Sequence, residues 1–440
     1  MKNKVLWRRI CPVLLIMFFI LSIVLLPTNK TDAAASKKVT IRFATNWAGN
    51  DAKAKYFIPM VEKFGQKNSN KFKLVIETAA GDDLRAKIRV EVAAGNPPDI
   101  WTYWGGGSIL KPLVVGNIVL DISKYLNLSK VLKKEQISEV AWDFYTINGK
   151  IYGVPLEGYQ SAFMVNKELF KKYNLNYPKT YDDLIKVAKV FNQHGIVPLA
   201  LGSKGGNPSH FWFSELYCQY SNGVKEIKDL PKTWKFNTTN ALQVAKLIAD
   251  MKKNGVFPKD TLANGDWGPS FALYNNGKAA MVYTYPWMFG QIKPEILKVT
   301  EIINVPKMPG AVKDPSTFVS SSAVYGFVIN RKSFEDPQKR SLLVEFADYL
   351  VSDEMIGELM KAGMVPVKKI KIDYNSIHPL LAKVLKFNEK KEAVPSHFNT
   401  FPDDNAFTLF QTSLDELFAG VITPEKFVQK VQTALDRAKK

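Results

Sequence analysis

Residues 72–103, FKLVIETAAGDDLRAKIRVEVAAGNPPDIWTY, decide the fold. Phe72 to Glu77 read as a strand, and Asp82–Asp83 open a helix that runs to Ala94. Gly95–Asn96–Pro97–Pro98 stop that helix, because glycine tolerates the left-handed helix end and proline cannot continue the hydrogen-bond ladder. Asp99 to Tyr103 form the next strand. Outward from this βαβ unit, Val39, Ile41 and Phe43 alternate with Thr40 and Arg42 as a half-buried strand. Ala52 to Gln66 carry Tyr56, Phe57, Met60, Val61 and Phe64 at helical spacing. The alternation predicts an α/β fold with a largely parallel sheet flanked by helices.

The pattern repeats further on. Asn148–Gly149 is a turn, and Gly153–Val154–Pro155 with Ala162 to Asn166 read as extended chain crossing to a new unit. Thr180 with Asp183 makes a helix start, Tyr181 to His194 carry apolar spacing, and Gly195 ends it. Pro198 to Leu201 is a strand, and Thr239 to Asn254 is an amphipathic helix. Val324 to Ile329, Pro337 to Leu350, Asp353 to Lys361, Ala406 to Phe418 and Thr423 to Ala438 follow as a strand and four helices, the last capped by Thr423 with Pro424 at its first position.

The amino terminus has basic residues at Lys2, Lys4, Arg8 and Arg9, an apolar run from Val13 to Leu26, and Ala33-x-Ala35. These are the three parts of a secretory signal peptide cleaved after Ala35. No later segment is long and apolar enough to span a bilayer. Cys11 would leave with the signal segment, so the mature chain has Cys218 as its one thiol and no disulfide. About 400 residues exceed what one core organises, which predicts two domains. Loss of residues 1–35 removes five basic residues and one acidic, and the net charge falls from +19 to +15. The lysines are scattered and never interleave densely with aromatics, which argues against nucleic acid as a partner.

A second informative stretch is WGPSFALYNNGKAAMVYTYPWM, residues 267–288. A helix ends at Asn276–Gly277, Ala279 to Tyr283 form a buried strand, and Trp287 follows at the strand's carboxyl end, where ligands bind in open α/β sheets. Trp47, Trp104 and Trp212 also follow strands or open helices. Together with Trp287 they suit a sugar, whose ring offers an apolar C–H face to an indole and hydroxyls to Asp, Glu and Asn.

Asn96–Pro97–Pro98–Asp99–Ile100 with Trp104–Gly105–Gly106–Gly107, Gly149 to Pro155, Tyr274 to Met281 with Pro286–Trp287–Met288, and Gly363 to Val367 occur in the order of a known family. In this set the chain resembles the family 1 extracellular solute-binding proteins, the carbohydrate receptors of ABC importers. The resemblance runs from about residue 38 to the carboxyl terminus. It implies a two-lobed, periplasmic-binding-protein-like fold, each lobe a sheet flanked by helices, joined by hinge crossings with the ligand cleft between. Lobe one would be 36–157 plus 310–352, and lobe two 158–309 plus 353–440. It also implies a carbohydrate ligand held by Trp104, Trp287, Trp212 and Glu157, with Trp47, Asp51, Asp82 and Tyr159 as further candidates and Trp267 weaker.

The implied partners are the membrane permease subunits of an ABC importer, and the receptor would be an exported monomer without cofactor or metal. Gram-positive members usually carry a lipid on a cysteine at the cleavage site, and this chain has none there. The competing expectation is a secreted glycoside hydrolase, which needs two carboxylates about 5–10 Å apart. Asp82–Asp83 and Asp403–Asp404 are sequence neighbours that point apart, and the chain lacks His-Glu-x-x-His, Gly-x-Ser-x-Gly and phosphate-loop motifs. His194 reads as a helix-end dipole contact, and His210 as a residue within reach of the cleft.

Overall fold

The computed structural model describes residues 38–440 except Asn50, Asp82 and 395–397. The expected signal segment, 1–35, lies outside the described residues. Among those described, no helix is long and apolar enough to cross a membrane.

Eleven strands form the two main sheets. They are β1 (Thr40–Thr45), β2 (Lys73–Thr78), β3 (Ile100–Trp104), β4 (Val154–Gln160), β5 (Ala162–Asn166), β6 (Val197–Ala200), β7 (Ala279–Thr284), β8 (Thr300–Ile303), β9 (Phe318–Ile329), β10 (Val365–Pro366) and β11 (Glu392–Val394). The first sheet runs β10-β4-β9-β3-β1-β2, with β11 on β9, and the second runs β8-β5-β7-β6. The βαβ reading holds where it was strongest, since β1 pairs in parallel with both β2 and β3. Beyond that the sheets are mixed: β7 is parallel to β6 and β9 to β11, but the remaining pairs are antiparallel. β9 is antiparallel to β3 and β4, and β5 is antiparallel to β7 and β8. Parallel neighbours need a long crossover. Only Ser161 separates β4 from β5, so the direction of β5 is set by the first sheet rather than by a helix returning over the second.

The helix starts follow local chemistry. Thr180 and Asp183 form the reciprocal capping box, each side chain accepting from the other's backbone N–H. Asp336 caps the helix Pro337–Leu350 and Thr423 the helix Pro424–Lys439, each with proline at the first position. Around the first sheet, Ile41, Phe43, Phe57, Val61, Phe346 and Leu350 are buried, with Phe43 edge-on to Phe346 at 5.1 Å. A second core gathers Leu184, Phe191, Val244, Ile248, Leu414 and Leu417. Truncating such a buried phenylalanine costs about 3–5 kcal/mol. The helix Asp353–Lys361 packs on the helix Ala54–Lys67, and β10 extends the first sheet, although the sequence reading assigns both to lobe two. Gly326 permits the close pairing of β9 with β4, since a Cβ there would lie 2.1 Å from the carbonyl oxygen of Val154.

Candidate functional site

The strand register builds the first half of the site. Pro366, Glu157, Tyr325 and Trp104 are consecutive partners across β10, β4, β9 and β3. Tyr325 follows a bulge in β9, a device that re-aims side chains. Its ring lies 4.4 Å from that of Trp104 and 6.5 Å from that of Trp47. Trp104 remains half-buried.

Beside this row, the turn after β1 brings in Asp51 and Lys53. The Lys53 ammonium lies 3.3 Å from Glu157 Oε1, 3.4 Å from Asp51 Oδ1 and 5.6 Å from the centre of the Trp47 ring. Lys53 and Glu157 are both buried, whereas Asp51 is partly open. Burial works against the charged lysine, but Glu157 and Asp51 together raise its pKa. Burial pushes the Glu157 carboxyl up; Lys53 draws it down and Asp51 pushes it further up, and the net is a rise. One ammonium is thus shared by two carboxylates, which holds their acceptor oxygens in place.

The second half comes from β7 and its exit. Tyr285 and Trp287 are two residues apart and stack with ring centroids 4.8 Å apart and planes 4° from parallel. Trp267, at the start of the helix Trp267–Asn275, meets Trp287 edge-on at 5.0 Å. Phe211 closes the cluster at 5.7 Å from Trp287 and 5.2 Å from Trp267. Tyr159, two residues past Glu157 on β4, links the halves: its ring lies 5.4 Å from Tyr285 and 6.3 Å from Phe211. Gly290, three residues past Trp287, sits so close to the Asp51–Lys53 turn that a Cβ there would lie 2.6 Å from Ala52 Cβ.

The predicted residues therefore divide. Trp104, Trp287 and Asp51 are partly open and come together, with the buried Glu157 and Tyr159 directly behind them. Trp212 is not among them. It is fully buried between Phe163 at 5.9 Å and Tyr283 at 5.1 Å. Consecutive helical residues point about 100° apart, so its neighbour Phe211, also buried, packs behind Trp267 and Trp287 instead. Trp47 is also fully buried, edge-on to Phe57 at 4.7 Å, and underlies the site rather than facing it. Asp82 lies outside the described residues. His210 is buried with Nδ1 2.7 Å from the Gly206 carbonyl, and burial lowers its pKa to about 4. His194 caps its helix and stacks on Tyr173 at 4.2 Å.

Lys53 and Tyr325, which the sequence did not single out, lie in this group, and Trp267 stands beside Trp287. The Tyr-Pro-Trp run at 285–287 was the legible signal, since Tyr285 ends the extended chain and Pro286 opens the 3-10 turn Pro286–Gln291 that carries Trp287. Alongside the aromatic surface lies a cavity of about 1330 Å³ that begins at Gly106 and Gly107, just past Trp104, and reaches Tyr220–Lys225 on the other side. Neither Trp104 nor Trp287 lines it.

The family profile of the bacterial extracellular solute-binding proteins matches residues 48–356, and the chain belongs to that family. It is 24% identical over 410 residues to an uncharacterized ABC transporter extracellular-binding protein of Pyrococcus horikoshii, covering 89% of this chain and 85% of that one. It is 24% identical over 287 residues to the multiple sugar-binding protein of Streptococcus mutans, covering 62% and 64%. A structure solved in work on xylan utilization by Caldanaerobius polysaccharolyticus superposes with a TM-score of 0.76 at 26% identity, over 90% of this chain and 100% of that chain. The fold is that of a solute-binding protein, and the role that goes with the family is capture of a solute outside the cytoplasm.

Proposed function

We propose that the protein binds an oligosaccharide between its two sheets and presents it to the permease subunits of an ABC importer. The observation that carries this reading is the placement of two half-buried indoles, Trp104 against Tyr325 and Trp287 stacked on the buried Tyr285, about the Lys53–Glu157–Asp51 group. Indole faces suit the C–H face of a pyranose, and fixed carboxylates suit its hydroxyls. The sugar-binding name of the Streptococcus mutans relative supports the same class.

In this reading the two sheets are the cores of two lobes. The lobes move about the β4–β5 passage and β9, and ligand favours the closed state because it contacts both. The chain is exported, acts as a monomer and binds without turnover. The two site carboxylates share one ammonium, whereas a hydrolase needs one of its pair protonated as acid and the other free.

The test is a panel of mono- and oligosaccharides read by tryptophan fluorescence and melting temperature, with product analysis beside it. A ligand that quenches fluorescence, raises the melting temperature and is recovered intact supports the reading. No response to any sugar would sink it, and cleaved product would turn it into the glycosidase reading.

A further inference from the structure

Beyond the Lys53–Glu157–Asp51 group, a further positive side chain stands beside Trp104. The Arg85 guanidinium carbon lies 6.0 Å from the centre of the Trp104 ring. Arg85 is half-buried, and among the described residues no carboxylate forms an ion pair with it. Such a guanidinium is weakly hydrated, and one standing beside an aromatic face can offer its donor fork to a planar anion. A sugar ring lying on Trp104 would carry its substituents to that fork.

The adjoining cavity points the same way through a separate set of side chains. Five lysines line it against Asp143 and Asp229. Lys225 is tied to Asp229 and Lys313 to Glu392. Lys111 and Lys228 form no ion pair among the described residues. A concave surface with a surplus of one sign focuses its field and concentrates ligands of the other.

We infer that the preferred ligand is an oligosaccharide bearing carboxylates, of the uronic-acid type, with Arg85 as the residue that reads a ring carboxylate beside Trp104 and the lysine-lined cavity taking further acidic units. This rests on the carbohydrate reading and narrows it. The carboxylate matches the guanidinium fork through two parallel hydrogen bonds; a sulfate ester offers oxygens to the same fork, and titration with a sulfated ligand separates the two.

The experiment is calorimetric titration of the purified mature chain with matched pairs. These are a four-unit oligogalacturonate and its methyl ester, a glucuronic-acid-substituted and an unsubstituted xylo-oligosaccharide, and a sulfated neutral oligosaccharide. The acidic member of at least one pair is expected to bind more tightly than its neutral partner, with affinity falling as salt rises. Arg85→Gln should weaken the acidic ligand roughly 10–100-fold, the range given by a charge-assisted hydrogen bond, and leave the neutral partner within about threefold. Lys111→Gln with Lys228→Gln should flatten the salt dependence for ligands of four units. The melting temperature of each free variant establishes that it is folded. Tighter binding of the neutral or sulfated members, or an Arg85→Gln variant that binds acidic ligand as the native chain does, would overturn the inference and leave sugar binding standing. Absence of binding by every member would remove both.

Discussion

Trp104 on β3 and Tyr325 on β9 are direct partners across antiparallel strands, and their rings meet at 4.4 Å with planes 50° apart. Two strands whose paired residues are 221 to 229 positions apart in the chain thus supply one platform. The half-buried indole is held from behind by the phenol ring. Trp104→Ala should weaken ligand binding by about 1–3 kcal/mol, the usual cost of removing an aromatic anchor, with little change in melting temperature. Trp212→Ala is the contrast. It empties a closed core position and should cost about 3–5 kcal/mol of stability. Denaturant unfolding and calorimetry on the two variants separate these roles, and a Trp212→Ala protein of native stability would refute the core assignment.

The Lys53–Glu157 pair predicts an asymmetric mutational response. Lys53→Met leaves the buried Glu157 facing Asp51 with no cation between them, and should destabilise the protein by about 3–5 kcal/mol. Glu157→Gln leaves Lys53 its contact with Asp51 and should be the milder change in stability. Its ligand affinity should nevertheless fall, because an ionised acceptor has been lost. Equal melting temperatures for the two variants would contradict this.

Glu215 gives a pH signature. It is buried and accepts from the Tyr283 hydroxyl at 2.9 Å, and Tyr283 is 2.7 Å from the Tyr285 hydroxyl. Burial pushes its carboxyl up to about 7, against the hydrogen bonds of Tyr283 and Ser161. The folded value lies above the ordinary 4.5, so the folded protein holds a proton that the unfolded chain releases. That contribution is complete below the unfolded value and is lost as pH rises through about 7. Glu215→Gln removes the dependence and should gain about 1–3 kcal/mol on the native chain between pH 5 and pH 8. Urea unfolding at both pH values measures it, and a constant difference would exclude Glu215 as its source.

Gly290→Ala tests how closely the Trp287 turn must approach the Asp51–Lys53 turn. The added methyl group would stand 2.6 Å from Ala52 Cβ, which cannot swing aside. The two segments must separate, at a cost of about 1–3 kcal/mol. Ligand affinity should drop while the free protein stays folded, and small-angle scattering of the liganded variant should show a more open particle than the liganded native chain. Native affinity would show that the approach is not needed for binding.

Much of this was written locally. The Thr180–Asp183 box, the Pro424 helix start and the buried run of β7 are decided by neighbours in sequence, and the structure reproduces them within a residue or two. The same holds for Trp287, because a strand followed by Pro-Trp places an indole at the strand's carboxyl end whatever packs around it. Lys53 and Tyr325 could not be found that way. A lysine in a turn is ordinarily solvated, and a tyrosine in a strand is ordinarily core. Only the meeting of β1, β4, β9 and β3 makes one the partner of Glu157 and the other the back of Trp104.

The sequence by itself determined the secondary elements, the βαβ unit and the kind of surface, aromatic with carboxylates, because hydrophobic period, caps and turn residues act over a few positions. Tertiary structure alone decided which aromatics stay partly open and which fill the core. Phe211 and Trp212 carry equivalent local signals and both are buried; the rotation of one helix against β7 puts Phe211 behind Trp267 and Trp287 and Trp212 between Phe163 and Tyr283.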